Sequence, residues 1–200
     1  MTQGVPRFRQ TVIGLPENVV LNADGGMRYF IVEKSKMEIR LLTAADDLLQ
    51  VSSVYEQSWK SAYKGIIPQS YLDSIPAGRW ASSINRTGMN NLVLTDGDII
   101  VGTSCYCASR WDKFADHGEI VSVYLLPEYT GKGYGRKLVE AAISGLRSLG
   151  YDKVLLWVLE ENTNARHFYE HLGFVNSGEV LNDNIGGKDL REIMYTKTAS

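Results

Sequence analysis

The feature that most constrains the fold is a glycine-rich segment, VYLLPEYTGKGYGRKL, which joins an apolar strand to an amphipathic helix. The predicted strand ends at Pro127, and Gly131, Gly133 and Gly135 occupy the turn and the start of the helix. Glycines let successive backbone N–H groups approach an anion closely, and the helix N-terminus adds the positive end of its dipole. The segment therefore predicts a binding site for a pyrophosphate.

The spacing of these glycines differs from two common phosphate-binding motifs. A mononucleotide P-loop requires GxxxxGK[ST] and a dinucleotide site requires GxGxxG, whereas this segment reads GxGxG. Lys132 and Arg136 add positive charge beside the glycines. A glycine turn that holds no ligand is the alternative interpretation of this segment taken alone.

Length and charge limit the class of protein. The 200 residues carry 21 basic and 23 acidic side chains, and a formal charge of −2 offers little attraction for nucleic acid. No apolar run approaches the roughly 20 residues of a membrane span, and the N-terminal region lacks the apolar core of a signal peptide. Cys105 and Cys107 lie two apart in a predicted strand, so we expect buried thiols and a reducing, cytoplasmic location. We therefore expect neither a nucleic-acid partner nor a membrane partner.

The N-terminal region differs in pattern from the rest of the chain. Residues 1–36 show no consistent periodicity, apart from an alternation over residues 28–33 that would suit an added strand. We predict that residues 1–36 form an extension, either poorly packed or added to the natural chain. A single domain is predicted over residues 37–200.

The hydrophobic pattern of this domain predicts the order β, helices, β, β, β, α, β, α, β, β. A strand at 38–42 comes first, and Thr43, Asp46 and Asp47 offer N-caps for the helix that follows. Two apolar runs around the turn sequence DGD predict a hairpin. The continuously apolar run at 154–159 predicts a strand covered on both faces. This order is typical of an α/β layered fold with a strand-helix-strand crossover.

Two motifs together resemble a known family. PEY precedes the glycines, and NTNARHFYEHLGF, residues 162–174, follows the next predicted strand. In this combination the chain resembles the GNAT superfamily of N-acetyltransferases of bacterial type, whose acetyl-CoA motif, R/Q-x-x-G-x-G/A, is followed later by N-x-x-A-x-x-x-Y. The resemblance covers about residues 38–197. It implies the GNAT acyl-CoA N-acyltransferase fold, a mixed, mostly antiparallel central sheet with helices on both faces, and acetyl-CoA as co-substrate.

The resemblance assigns the glycine segment and its strand to acetyl-CoA binding. The backbone of Val123, Tyr124 and Leu125 would pair with the pantetheine amides as an extra strand does, and Asn162 would contact the cofactor arm. Thr130 stands where the family usually has Arg or Gln, and we expect weaker rather than abolished binding because the family's phosphate contacts are largely backbone amides. The predicted loop contacts are Thr130, Gly131, Lys132, Gly133, Tyr134, Gly135 and Arg136.

The expected reaction needs an acid and a base. A lysine-like amine is protonated at pH 7, and deprotonating it costs roughly 4.6 kcal/mol. The departing thiolate leaves more easily if a nearby group protonates it. The resemblance implies that Tyr169, seven residues after Asn162, protonates the sulfur; a core aromatic is the alternative. Some family members carry a glutamate where this chain has Trp157.

Glu119, at the start of the glycine-loop strand, is therefore our candidate base, with His117 as the next choice. An exposed strand-end carboxylate is an equally good interpretation of Glu119. His167 and His171 lie four apart on a predicted helix, a spacing that can bind a metal, but no third ligand accompanies them. We predict no metal site.

The acceptor side is predicted from the segment after the first strand. Trp59, Tyr63 and Glu56 would bind a cationic amine through cation–π and carboxylate contacts. Core packing of these aromatic residues is an equal interpretation. We predict transfer of acetyl from acetyl-CoA to a primary amine of a small, polyamine-like or otherwise cationic molecule, by direct attack in a ternary complex. A protein or peptide N-acetyltransferase and a non-catalytic acyl-CoA-binding sensor are the alternatives. A homodimer is compatible with the predicted enzyme and with both alternatives.

Overall fold

The computed structural model describes residues 19–21, 27–29 and 37–198. The chain divides into two compact units, Met1–Lys36 and Met37–Ser200. In the first unit, strand β1 (Val19–Leu21) pairs antiparallel with β2 (Met27–Tyr29). The strand predicted at 28–33 begins within β2, and the remainder of that prediction lies outside the described residues.

The second unit is built on a seven-stranded sheet with the order β3-β4-β5-β6-β7-β9-β8. All neighbours are antiparallel except the parallel pair β6 and β7. The predicted α/β fold with a mixed, mostly antiparallel sheet is therefore confirmed. The strands are β3 (Met37–Leu41), β4 (Asn90–Asp96), β5 (Ile99–Ala108), β6 (His117–Leu125), β7 (Lys153–Leu159), β8 (Val175–Ile185) and β9 (Lys188–Thr198). The helices are α1 (Leu48–Ala62), α2 (Gln69–Ser74), α3 (Tyr134–Ser148) and α4 (Thr163–His171).

Helices cover both faces of this sheet because its strand side chains alternate. On β4, Leu92 and Leu94 pack into the cluster that contains the apolar stripe of α3, whereas Val93 packs against α1. The stripe of α3 follows the helical spacing expected from the sequence. Its buried residues are Leu138, Val139, Ala142 and Leu146.

Local signals fix the ends of the helices. Asp47, one of the predicted caps, begins α1, and its side chain accepts a hydrogen bond from the N–H of Leu49 at 2.8 Å. Ser58 of α1 donates to the carbonyl oxygen of Leu125 at 2.5 Å, which holds the helix against the end of β6. Gly150, with φ of 92°, follows α3 in the left-handed conformation that glycine favours.

The parallel strands β6 and β7 separate after a short paired stretch. Their register includes only three pairs, the last of which joins Glu119 to Leu155. Beyond this point β6 stays paired with β5 as far as Leu125, and β7 stays paired with β9 as far as Leu159. A bulge opposite Cys105 adds a residue to β6 where the separation begins. The sheet therefore opens into a slot between two strand ends.

Candidate active site

A cavity of about 580 Å³ fills the slot between the separated strands. Its walls are residues 120–125 of β6, residues 156–159 of β7, the glycine loop and one face of α4. The volume lies within the range of about 300–1,000 Å³ that is usual for small-molecule sites. The unpaired edge of β6 lies along the cavity, so its backbone can pair with an extended ligand as with another strand.

The glycine loop presents a row of free backbone donors at one end of this cavity. Among the described residues, the N–H groups of residues 131–136 donate to no protein acceptor. Gly131 and Gly133 have φ of 71° and 82°, and a Cβ at either position would meet no protein atom within 4 Å. Helix α3 starts at Gly133 with no side-chain cap and no acidic residue in its first turn. The loop therefore fits a pyrophosphate, because its donors and the helix dipole attract the same anion.

The predicted loop contacts divide into two groups. Thr130, Gly131, Gly133, Gly135 and Arg136 line the cavity. The Thr130 hydroxyl donates to the carbonyl oxygen of Pro127 at 2.7 Å, which closes the turn before the glycines.

Lys132 and Tyr134 do not line the cavity. The Lys132 ammonium lies 5.3 Å from the ring centroid of Tyr129, and the Tyr134 ring lies 6.3 Å from the same ring. Both side chains therefore belong to the outer surface of the loop, although their backbone N–H groups belong to the free donor row.

The strand and helix residues predicted to hold the cofactor arm all line the cavity. Val123, Tyr124 and Leu125 form part of the β6 wall. Asn162 lies at the start of α4, where its side-chain oxygen accepts a hydrogen bond from the N–H of Ala165 at 3.1 Å. Its side-chain amide N–H groups have no protein acceptor among the described residues and can donate into the cavity.

Tyr169 projects from α4 into the same cavity. Its ring packs edge-to-face on Phe168 and Phe174, at centroid distances of 5.0 and 5.8 Å. Within the described residues, the Tyr169 hydroxyl has no hydrogen-bond partner. Burial raises the pKa of Tyr169 well above its ordinary value. The phenol therefore stays protonated at neutral pH and can donate a proton into the cavity.

A second group of aromatic residues forms the wall nearest α1. The Trp59 indole N–H donates to the Tyr124 hydroxyl at 3.0 Å. Burial raises the pKa of Tyr63 and of Tyr124. Of the predicted acceptor residues, Tyr63 lines the cavity, whereas Trp59 lies behind it and packs on Tyr63 and Trp80.

Glu56 lies outside the cavity lining. Its Oε1 atom accepts hydrogen bonds from the N–H of Gly78 at 2.7 Å and from the Ser52 hydroxyl at 3.1 Å. The carboxylate thus ties α1 to the segment after α2. The Oε1 atom of Glu56 therefore serves the fold, and the cavity lining gives no support to the predicted contact of Glu56 with an acceptor amine.

Glu119 also has protein partners rather than a place in the cavity wall. It is 1% exposed, which corrects the interpretation as an exposed strand-end carboxylate. Its Oε1 atom accepts from the Arg110 guanidinium at 2.6 Å, and Oε2 accepts from Arg110 Nε at 3.1 Å and from the Arg110 backbone N–H at 3.0 Å. The carboxylate anchors the connection after β5, so a role in positioning suits it better than direct proton transfer.

Replacing Arg110 should destabilise the fold through this contact. We expect Arg110→Met to lower the free energy of unfolding by about 1–3 kcal/mol, because the buried Glu119 carboxylate loses charged donors. Urea denaturation measures the change. Lys113→Met is the matched control, since Lys113 pairs with Glu179 on the surface and should cost little or nothing. Equal losses in the two variants would contradict the anchoring role.

Glu192 on β9 does not line the cavity itself but lies beside it, and the sequence reasoning missed it. It faces the same side of the sheet as Leu159, its pairing partner on β7, and Leu159 lines the cavity. Burial raises the pKa of the Glu192 carboxyl. In the sequence, Glu192 is recognisable only as an acidic residue in the predicted closing strand. Its position beside the cavity follows from the pairing of β9 with β7.

The described residues contain no cluster of three or more His, Cys, Asp or Glu side chains placed to hold a metal ion. None of the helices within the described ranges has the length and apolarity required to cross a bilayer.

The slot between the parallel strands, the free N–H groups of the loop and the tyrosine beside them all border one cavity. The chain belongs to the acetyltransferase (GNAT) family, whose sequence profile matches residues 52–174. The predicted superfamily and the predicted enzyme class, an N-acetyltransferase, are confirmed by this match.

Individual relatives are similar at moderate identity. An uncharacterized N-acetyltransferase, YuaI, of Bacillus subtilis is 24% identical over 152 residues, which cover 74% of this chain and 86% of that protein. The spermidine N(1)-acetyltransferase of Thermoplasma acidophilum is 28% identical over 145 residues, 69% of this chain and 88% of that protein. A mycothiol acetyltransferase of Beutenbergia cavernae is 42% identical over 85 residues, but this match covers 42% of this chain and only 27% of that protein.

The fold has solved relatives as well. The crystal structure of PaiA N-acetyltransferase from Thermoplasma acidophilum, in complex with coenzyme A, superposes with a TM-score of 0.63 and 24% identity. The superposition covers 82% of this chain and 99% of that chain. At this identity, the similarity establishes the fold and leaves the acceptor open.

Proposed function

We propose that the protein transfers acetyl from acetyl-CoA to a primary amine of a small cationic molecule, by direct attack within a ternary complex. The observation that carries this proposal is the continuity of the cavity. Free backbone donors at residues 131–136 lie at one end, the unpaired edge of β6 runs along it, and the hydroxyl of Tyr169 enters its wall.

The residues of this cavity fit acetyl-CoA part by part. The N–H groups of the glycine loop and the N-terminus of α3 suit the pyrophosphate. The β6 edge at Val123, Tyr124 and Leu125 suits the amides of pantetheine, and Asn162 offers its free side-chain donors beside it. The structural relative from Thermoplasma acidophilum was solved with coenzyme A, which supports the same ligand here.

The bound co-substrate supplies an acetyl thioester, and the protein supplies orientation and proton donors. A backbone N–H on the unpaired edge of β6 would polarise the thioester carbonyl, since a fixed donor costs no reorganisation as charge develops on the oxygen. Tyr169 would donate its proton to the departing sulfur. Burial raises the pKa of Tyr169, but the same surroundings also disfavour a bare thiolate and so raise the pKa of the departing thiol. The proton transfer from the phenol to the sulfur is therefore still feasible.

A cationic acceptor is favoured by the wall near α1. Tyr63, Tyr124 and Trp157 present aromatic surface to the cavity, and aromatic faces attract ammonium groups. The similarity to a spermidine N(1)-acetyltransferase points in the same direction. We place the acceptor at this wall, on the opposite side of the slot from the helix α3.

An initial-rate assay of free thiol release tests the proposal. The acceptors compared are a linear polyamine, an aminoglycoside, a free amino acid and a peptide with a free N-terminus, with acetylated products identified by mass spectrometry. We expect turnover with the polyamine, and intersecting double-reciprocal lines that indicate a ternary complex rather than a ping-pong path. If the peptide is the preferred acceptor, the protein is a peptide N-acetyltransferase and the proposal of a small-molecule acceptor is wrong. Tight acetyl-CoA binding without turnover on any amine would favour an acyl-CoA sensor.

A further inference from the structure

Glu192 occupies a specific place beside the cavity. On β9 it pairs with Leu159, and Trp157 pairs with Met194, two positions further along the same face. Both Leu159 and Trp157 line the cavity, and Leu159 packs in one apolar cluster with Tyr63. Cross-strand partners in an antiparallel pair present their side chains to the same face. The Glu192 carboxylate therefore lies on the α1 side of the sheet, next to the aromatic wall.

The carboxylate of Glu192 is half-buried and carries no hydrogen bond or ion pair among the described residues. It differs in this respect from Glu119, whose two oxygens are both occupied by Arg110. Three cations on Arg110, Lys188 and Arg191 each already form an ion pair with another carboxylate. These pairs are Arg110 with Glu119, Lys188 with Glu161 and Arg191 with Glu160.

We propose that Glu192 binds the ammonium group of the acceptor and takes its proton before attack. This inference rests on the acetyl transfer proposed above and names its acceptor-side residue. A half-buried carboxylate without a partner, next to three aromatic rings, matches a primary ammonium through charge and cation–π contacts. Amines that carry a carboxylate beside the amino group would be repelled.

The proton and electron balance of the step is complete. The ammonium gives a proton to the Glu192 carboxylate, and the freed lone pair of the nitrogen forms the C–N bond with the acetyl carbon. The C–S bond breaks, its electron pair goes to sulfur, and Tyr169 protonates the thiolate. In total the ammonium loses two protons. One reaches solvent through Glu192, and the other replaces the proton that Tyr169 gave.

The surroundings of Glu192 favour this role. Burial is the largest cause of its raised pKa, and the charges of Asp183 on β8 and Glu119 on β6 raise it further, whereas Arg110 lowers it. Burial raises the pKa of Tyr63, which follows α1, and of Tyr124 on β6, so both tyrosines stay protonated. The negative charge of Glu192 also acts on both tyrosines and raises their pKa further. A carboxylate with a raised pKa is a better proton acceptor at neutral pH than an ordinary glutamate.

The test is a pH profile of kcat/KM for Glu192→Gln with a linear polyamine. Wild-type enzyme uses the ionised carboxylate and the protonated amine, so its rate should reach a plateau above the pKa of Glu192. The variant depends on amine that is already neutral. We expect kcat/KM to fall at least about tenfold at pH 7 and to recover toward about pH 9.5, as the amine loses its own proton. Glu192→Asp should restore part of the loss.

Two control variants separate this role from others. Glu38→Gln, on the exposed end of β3, should match wild type at every pH. Glu119→Gln should lose activity, if at all, by the same factor across the profile, because its role is structural. A pH-independent loss in Glu192→Gln, or a pH-dependent loss confined to Glu119→Gln, would overturn the inference.

Calorimetry with acetyl-CoA keeps the two proposals distinguishable. Glu192→Gln should bind acetyl-CoA as tightly as wild type, since the glycine loop and β6 edge are unchanged. If wild-type protein fails to bind acetyl-CoA or to acetylate any amine, the proposed function fails first. If wild type works and the variant keeps its full rate at pH 7, only the role of Glu192 is overturned.

Discussion

Replacing Tyr169 by phenylalanine should lower the rate of acetyl transfer by about 100-fold or more, the usual scale for loss of a general acid. The substitution removes only a hydroxyl, and that hydroxyl has no protein partner among the described residues. The ring contacts with Phe168 and Phe174 stay intact. We therefore expect no loss of folding stability and an acetyl-CoA affinity within about twofold of wild type, because buried unpaired hydroxyls contribute nothing favourable.

Single-turnover rates and calorimetry on the same preparations measure both effects. Tyr151→Phe is the matched control, since Tyr151 packs at the edge of the same apolar cluster but lies before β7, at the opposite end from the cavity. Because burial raises the pKa of Tyr169, wild-type activity should show no loss from its ionisation at ordinary alkaline pH. Unchanged turnover in Tyr169→Phe would exclude the acid role, and a parallel loss of acetyl-CoA affinity would make it a binding residue.

The second large effect is expected at Gly133, where helix α3 begins. Gly133→Asp places a negative charge where the pyrophosphate is expected to bind. Two unit charges about 6 Å apart at an effective dielectric constant of about 20 repel by about 2–3 kcal/mol. We therefore expect acetyl-CoA affinity to fall by about 30- to 150-fold. The variant protein should still fold, because Asp is among the residues that visit positive φ and it favours helix N-termini, but the strain at φ of 82° should cost about 1 kcal/mol of stability.

Gly133→Asn separates charge from shape. Asparagine has nearly the same size and the same tolerance of the left-handed conformation, and a Cβ at Gly133 meets no protein atom within 4 Å. The difference in dissociation constant between the two variants therefore reports the charge alone. It should shrink as salt is raised, because mobile ions screen exposed charges. Equal affinities for both variants at low salt would place the phosphates elsewhere.

Local patterns predicted the parts of the molecule that depend on neighbours in sequence. The glycine loop, the Asp47 cap and the apolar stripe of α3 each follow from residues within one or two turns of chain. Tyr169 and Asn162 were found because both belong to one short helix whose spacing is diagnostic. The same helix brings both side chains to the cavity.

The acidic residues could not be assigned in this way. Glu56 and Glu119 look like functional carboxylates in the sequence, but partners on other segments, Gly78 and Arg110, occupy them. Glu192 belongs to no motif in the sequence. Only the position of β9 next to β7 in the sheet brings it near the wall proposed for the acceptor. Hydrogen bonding and burial of a carboxylate depend on long-range packing, which no local pattern encodes.

The most direct test of acetyl-CoA binding in this cavity is a titration of the wild-type protein with acetyl-CoA. Calorimetry measures the affinity, and thermal denaturation measures the gain in stability. We expect a single saturable site, and a stabilisation of roughly 2.7 kcal/mol when acetyl-CoA is at about 100 times its Kd. Both effects should weaken strongly in Gly133→Asp. Absence of binding at millimolar acetyl-CoA would contradict the central claim that this cavity holds the acetyl donor.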